Sequence, residues 1–305
     1  MAMAEAASVA TYEPERLEPS RERFRWTSAV LLAPGTALLL LLFIGPLVFA
    51  LYLGFTNMEL VGPRSQTYSF TGAANILRMT HDAVLHRSIV LTVAFLFGSA
   101  ILGQSILGMI LALLMRPALR FIQLSVGAVI VLAWVVPEVT AALLWYAYAQ
   151  MGGTLGLLLE RPSTDFLVAQ PMVIVSAANT WRHVAFSMLM FSAALRNIPG
   201  EVLEAADVEG ASGWQRLTRV ILPLMRSTIV TNLLLVTIAN LSTFTLIYVM
   251  TQGGPGTDTT TLSIYVYLQA FTYDQLGYGT AVALLLVALG AAFSALFVRH
   301  AHIAA

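Results

Sequence analysis

Lysine is absent from the 305 residues, and all 16 basic positions are Arg. A phosphate-cradling G-x-x-x-x-G-K-[ST] loop needs that Lys, so nucleotide hydrolysis by this route is excluded. Cysteine is absent too, which removes disulfides and thiolate metal sites. No H-E-x-x-H or convincing G-x-S-x-G occurs, and His81, His86, His183, His300 and His302 show no ligand spacing inside an apolar segment. They read as surface or packing residues. The expectation is a chain without catalytic, cofactor-binding or metal-binding residues. The lysine-free, Ala-rich composition also suggests a GC-rich genome.

Charge is scarce as well, at 10% against about a quarter in a soluble domain. What replaces it is apolar: 58% of residues are hydrophobic and mean hydropathy is +0.79. Windows 26–58, 88–115, 121–137, 139–159, 166–181, 183–195, 227–257 and 275–298 contain no Asp, Glu, Lys or Arg. About 20 apolar residues cross the hydrocarbon core as a helix, and backbone polar groups must be satisfied within the segment. The windows lack the strict alternation of outer-membrane strands. Six helical spans are predicted near 28–56, 88–115, 122–149, 171–195, 227–250 and 277–298, in an all-α bundle.

Eleven arginines fall on one side of this arrangement and Arg64, Arg78, Arg87 and Arg161 on the other. The positive-inside rule then places both termini in the cytoplasm. Residues 1–27 read as a cytoplasmic arm before an uncleaved first span, 28–299 as the membrane domain, and 300–305 as a cytoplasmic tail. Segment 57–87 is an external connection in which residues 70–75 start a short interfacial helix. Segment 196–226 is the longest internal connection. It carries Glu201, Glu204 and Asp207 early and Arg216 and Arg219 late, the polarity a helix dipole favours. Gly210 and Gly213 interrupt it, so it reads as two short helices joined by a bend and closed by Pro223.

Within that segment stand Glu204-Ala205-Ala206, then Gly210, then Ile221-Leu222-Pro223. This pattern resembles the EAA signature of ABC importer permeases, on the loop where such permeases carry it. The run Phe244, Thr251, Gly253-Gly254-Pro255, Leu262, Tyr265, Tyr267, Ala270-Phe271, Gly277-Tyr278-Gly279 and Ala281 resembles permeases of the maltose, glycerol-3-phosphate and trehalose type. Trp181 with Asn197-Ile198-Pro199, and Pro137 with Trp145, fit the same group, over roughly residues 30–300. Within it the chain looks closest to the permeases of actinobacterial trehalose importers. Glu209-Gly210-Ala211 departs from the usual D-G-A, and Gly156 stands where an Asn often lies.

The resemblance implies a six-span type I importer fold and coupling helices that dock on a separate ATPase through Glu204, Ala205, Ala206, Glu209, Gly210 and Pro223. It further implies a second permease subunit, two ATPase subunits holding ATP and Mg, an external sugar-binding protein or lipoprotein, and no nucleic acid. Small residues at 205 and 206 would allow close approach to the partner.

Glu138 and Arg182 interrupt spans, and charges there cost about 2.5 to 3.5 kcal/mol to insert. Their similar depth allows an ion pair, either as a structural bridge or in contact with sugar. Asn179, Arg182, His183, Phe186 and Met190 share about 100° of one helix, and Asn232, Asn240 and Thr243 about 80° of another. With Tyr248 these give the translocation-path candidates Glu138, Asn179, Arg182, Asn232, Asn240, Thr243 and Tyr248. The asparagines could bind sugar hydroxyls or join helices. Trp145, Trp181 and Tyr248 could stack on sugar rings or anchor at the interface. Two other function classes are weighed: an ion-coupled transporter using Glu138 as a proton site, and an intramembrane hydrolase. The coupling motif opposes the first and the lack of a nucleophile–base pair opposes the second.

Overall fold

The computed structural model describes residues 26–302, so most of the predicted arm and the end of the predicted tail lie outside the described residues. Among the described residues there are helices and no strands, with one isolated bridge between Thr56 and Phe70. The chain divides into a unit ending at Phe49 and a unit from Ala50 onward. Helix α1 (Trp26–Leu39) continues through a π turn (Leu40–Ile44) into α2 (Gly45–Gly54). Its stretch Leu31–Gly54 is apolar and 24 residues long, enough to cross a bilayer.

In the second unit α3 (Ala74–His81) is the short helix expected within segment 57–87, and α4 (Ala83–Phe95) follows it directly. A π segment (Leu96–Leu107) and α5 (Gly108–Met115) extend α4 into a 33-residue apolar helix. Next come α6 (Arg120–Val135), α7 (Glu138–Ala149), the short α8 (Thr154–Leu158) and α9 (Phe166–Ala169), and α10 (Pro171–Arg196). The internal connection holds α11 (Gly200–Val208) and α12 (Gly213–Arg216), with a π turn (Leu217–Ile221) leading to α13 (Leu222–Leu224). The chain closes with α14 (Arg226–Leu241), α15 (Thr245–Thr251), α16 (Leu262–Tyr267) extended by a π turn (Leu268–Thr272), and α17 (Leu276–His302).

Two predicted spans are broken. The expected continuous helix over 122–149 bends by 103° between α6 and α7. Pro137 has no N–H to give and holds Val136 in an extended conformation (ψ 130°), so the α6 ladder ends there. The expected helix over 227–250 stops at Leu241 and restarts at Thr245. At the C-terminal end helix extends to His302, four residues past the predicted boundary.

The π segment exists where small residues permit close approach. Gly98, Gly103 and Gly108 recur every five residues and face Ser176, Thr180 and Ser187 of α10. A Cβ at Gly103 would stand 2.0 Å from Thr180 Oγ1, and one at Gly108 2.6 Å from Ser187 Cβ. Small residues on both sides let helices touch closely in lipid, where packing and interhelical hydrogen bonds hold a bundle together. Hydrogen bonds supply the second part. Asn179 of α10 donates to Ser99 Oγ (2.6 Å) and to Asn240 Oδ1 of α14, and Gln104 Nε2 donates to the same Asn240 oxygen at 3.0 Å. Asn240 Nδ2 returns a bond to Gln104 Oε1 (3.2 Å), while Asn232 donates to Ser105 Oγ (3.1 Å). Three helices are thereby tied around Asn240, with a second tie about two turns away at Asn232, by side chains that are all buried.

Candidate functional site

Segment 196–226 is an exposed bent pair of helices seated on an apolar base. Leu203 of α11 packs with Phe191, Leu195, Ile221 and Met225, which fixes α11 to the ends of α10 and α14, and Ala206 is buried on the same helix. Gly210 makes the bend with φ +77°, in the region that L side chains avoid. No atom lies within 4 Å of a Cβ built there, so the backbone angle alone demands glycine. A capping box between Ser212 and Gln215 starts α12. Arg216 Nη1 reaches both oxygens of Asp207 at 2.8 and 2.9 Å and fastens α12 to α11 across the bend. The opposite-charge polarity of the segment, read in the sequence as dipole matching, also serves this cross-link.

Facing outward are Glu204, Ala205, Glu209 and Pro223, together with two large apolar side chains, Val208 at 89% and Trp214 at 72% exposure. Ala206 does not belong with them. It is buried within this chain, unlike the exposed Ala205, which corrects the expectation that both alanines of the pair lie open to a partner.

The two intramembrane charges do not meet. No ion pair joins Glu138 to Arg182 among the described residues; each instead satisfies a backbone group freed by a helix break. Arg182 Nε donates to the carbonyl of Val136 at 3.3 Å, the group left open where α6 ends. Glu138 Oε1 accepts from the N–H of Leu246 at 3.1 Å, in the open first turn of α15. A carboxylate is favoured there by the helix dipole. Arg182 Nη1 also lies 2.7 Å from His183 Nε2, and His183 Nδ1 lies 3.0 Å from Asn179 O. Since Arg only donates, His183 accepts at Nε2 and donates from Nδ1.

The remaining path candidates separate into two groups. Asn179, Asn232 and Asn240 are buried between helices of this chain and donate hydrogen bonds there, while the Oδ1 atoms of Asn179 and Asn232 are buried without a partner. Thr243 is half-buried and accepts at its carbonyl from Ser263 Oγ (2.7 Å) in the gap between α14 and α15. Tyr248 stacks on Phe244 (5.1 Å between ring centres) and meets Tyr267 at 4.9 Å. Trp145 meets Trp181 edge-on at 6.2 Å and Tyr148 at 5.5 Å. Trp145, Tyr148, Trp181 and Leu144 line an open cleft of about 440 Å³.

Residues 104–302, which contain the whole bent segment and the helices α10 and α14, match the family described as binding-protein-dependent transport system inner membrane component. The chain belongs to this family of ABC importer permeases. It is 31% identical over 281 residues to the trehalose transport system permease protein SugA of Mycobacterium tuberculosis, covering 92% of this chain and 90% of that relative. To the sulfoquinovosyl glycerol transport system permease protein SmoG of Agrobacterium fabrum it is 30% identical over 286 residues, covering 90% of each. A bacterial ABC transporter involved in the import of the acidic polysaccharide alginate shares the fold, with a TM-score of 0.72 at 20% identity over 91% of this chain and 95% of that one.

One cluster of this permease had no sequence signal, because its members are far apart in the chain. Asp82 caps α4 by accepting from the N–H groups of Val84 and Leu85 (3.0 Å each), and it also accepts from the hydroxyls of Tyr265 and Tyr278, the latter at 2.6 Å. Arg78 stacks 3.8 Å over the Tyr278 ring and donates to Gln275 at 2.6 Å. Burial pushes the Asp82 carboxyl up, but the tyrosine and backbone donors outweigh it and hold it below its ordinary value. A depressed carboxylate stabilises the fold above its unfolded pKa of about 3.9, and the gain is lost as pH falls through the folded value. Stability from Asp82 is therefore expected to be flat from neutral pH to about 5 and to fall only in stronger acid. Asp82→Asn should lower stability by about 1 to 3 kcal/mol at neutral pH and flatten the acid limb of a thermal-unfolding profile. An unchanged acid limb would show that another carboxylate governs it.

Proposed function

We propose that this permease is the non-catalytic membrane subunit of an ATP-driven sugar importer, and that it forms half of a translocation pathway. The observation that carries the reading is the exposed bent segment 200–224, rooted in the bundle and lying within the family match. Glu204, Ala205, Glu209, Val208 and Trp214 form its docking face toward an ATPase subunit, and Gly210 sets the angle between its two helices. Two ATPases, a second permease of a different sequence and an external binding protein complete the assembly. Both termini and the bent segment lie in the cytoplasm, as the arginine asymmetry favours.

Relatives named for trehalose and for sulfoquinovosyl glycerol support a hydroxyl-rich glycoside as cargo, with trehalose the first candidate. The cleft of Trp145, Tyr148 and Trp181 offers aromatic faces to such a ring, whereas the buried asparagines do not. The test is uptake by the complete transporter in proteoliposomes, with the cognate binding protein and labelled trehalose. Uptake that requires ATP, and falls at least about ten-fold in Trp145→Ala with binding-protein-stimulated ATP hydrolysis retained, is the expected result; a loss of about 1.4 kcal/mol gives that factor. Uptake driven by a proton gradient without ATP would sink the reading, and transport of other glycosides but not trehalose would sink only the choice of sugar.

A further inference from the structure

A pair of arginines shares one small cavity on this permease. Arg116 follows the end of α5 and Arg196 ends α10, and both line a cavity of about 340 Å³ that α6 closes with Gln123 and Gly127. No Asp or Glu lines it. Neither guanidinium has an ion-pair or hydrogen-bond partner among the described residues, where the ion pairs are Arg64–Glu59, Arg87–Asp258 and Arg216–Asp207. A cation at a helix C-terminus is favoured by the dipole, which accounts for either arginine alone. It does not account for two in one cavity without an acid, since like charges at close range repel unless an anion lies between them.

The neutral lining sharpens the ligand class. Gln123 spends its amide N–H groups on the carbonyls of Met115 and Ala118 (2.9 and 3.0 Å), so it holds the turn between α5 and α6 and leaves the arginines as the donors. Ser192 adds a hydroxyl, and Met188 and Leu189 supply an apolar wall. Leu189 is itself exposed, as are Leu114 and Leu124, neighbours in sequence of Arg116 and Gln123. Planar guanidinium forks match phosphate oxygens, and exposed leucines beside them suit acyl chains.

We propose that the Arg116–Arg196 cavity binds the phosphate of an anionic phospholipid headgroup, with the lipid chains running along the exposed leucines. In the orientation proposed above the cavity opens at the cytoplasmic leaflet, where anionic lipid attracts basic side chains. The occupancy does not depend on which sugar is carried, so its test is separate from that of transport.

The experiment is native mass spectrometry of the complete transporter, titrated with phosphatidylglycerol or phosphatidylcholine. Wild type should retain phosphatidylglycerol in preference by about ten-fold or more, each arginine contributing about five-fold. The double substitution Arg116→Gln with Arg196→Gln should abolish the preference, while Arg196→Lys, which keeps the charge and lessens any risk to folding, should lose only part of it. Arg120→Gln, at an arginine outside the cavity, should leave it unchanged. Inorganic phosphate serves as the competitor: failure to displace the lipid fits a headgroup site. Arginine-dependent binding of inorganic phosphate with no lipid preference would instead make the occupant a free anion and overturn the lipid assignment. Equal phosphatidylglycerol binding by wild type and the double variant, or an equal loss in Arg120→Gln, would overturn the site.

Discussion

Removing the Glu138 side chain as Glu138→Ala is expected to destabilise the permease by about 2 to 3 kcal/mol, because the N–H of Leu246 loses a charged acceptor at a helix start. Arg182→Ala should cost about 1 to 3 kcal/mol by freeing the Val136 carbonyl at the α6–α7 break. The decisive quantity is the double variant. A buried ion pair predicts rescue, since breaking it from one side strands a charge at about 3 to 5 kcal/mol. Two independent backbone caps predict damage that adds to within about 0.5 kcal/mol. Denaturant titration of the purified transporter in detergent measures all three, and recovery in the double variant would restore the pair. Glu138→Gln keeps an acceptor oxygen and should lose about half as much as Glu138→Ala.

Bending the internal segment differently should uncouple the machine. Gly210→Val places a β-branched residue at φ +77°, a conformation costing such residues well over about 1 kcal/mol, although the surrounding space is open. Gly210→Asn tolerates the left-handed region and should keep most function. Glu204→Arg reverses a charge on the outward face without touching the buried base. For Gly210→Val and Glu204→Arg, uptake and binding-protein-stimulated ATP hydrolysis in proteoliposomes should fall together by at least about ten-fold, the scale of an interface defect of about 1.4 kcal/mol. Membrane insertion should persist, because Leu203, Ile221 and Met225 still hold the segment to the bundle. Full stimulated hydrolysis and uptake in both would make segment 204–223 a passive connection.

Charge-free windows located the apolar helices because burial in lipid selects composition directly, and Gly210 marked the bend because backbone freedom alone is needed there, whereas Gly213 opens α12. Composition cannot report where a helix breaks inside an apolar window. Pro137 was in view, yet a proline can kink a span or end it; Arg182 satisfies the end of α6 from 46 residues away, and Glu138 satisfies the start of α15 at the other break from 108 residues away. The asparagine stripes were visible as stripes. Whether a polar stripe faces a neighbouring helix of the same chain or a passage depends on which helices pack, and Ser99 and Gln104, the partners that decide it, lie in a π segment that no periodicity of 3.6 reveals. Asp82 was hidden for the same reason, being joined to tyrosines 183 and 196 residues later.

The knot of Ser99, Gln104, Asn179 and Asn240 bears on how a push delivered at α11 would travel. Sliding any one of the three helices past the others would strand buried amides in a medium without water, so this part of the bundle resists shear and behaves as a stiff arm. Compliance then falls to places where the backbone ladder is already interrupted, Met225 at the root of α14, Val136–Pro137 and Ser242–Phe244. A stiff arm with such joints would turn a displacement at the α11 end into rotation of α7 and α15, which Glu138 joins. The same carboxylate that caps a helix thus sits at the pivot.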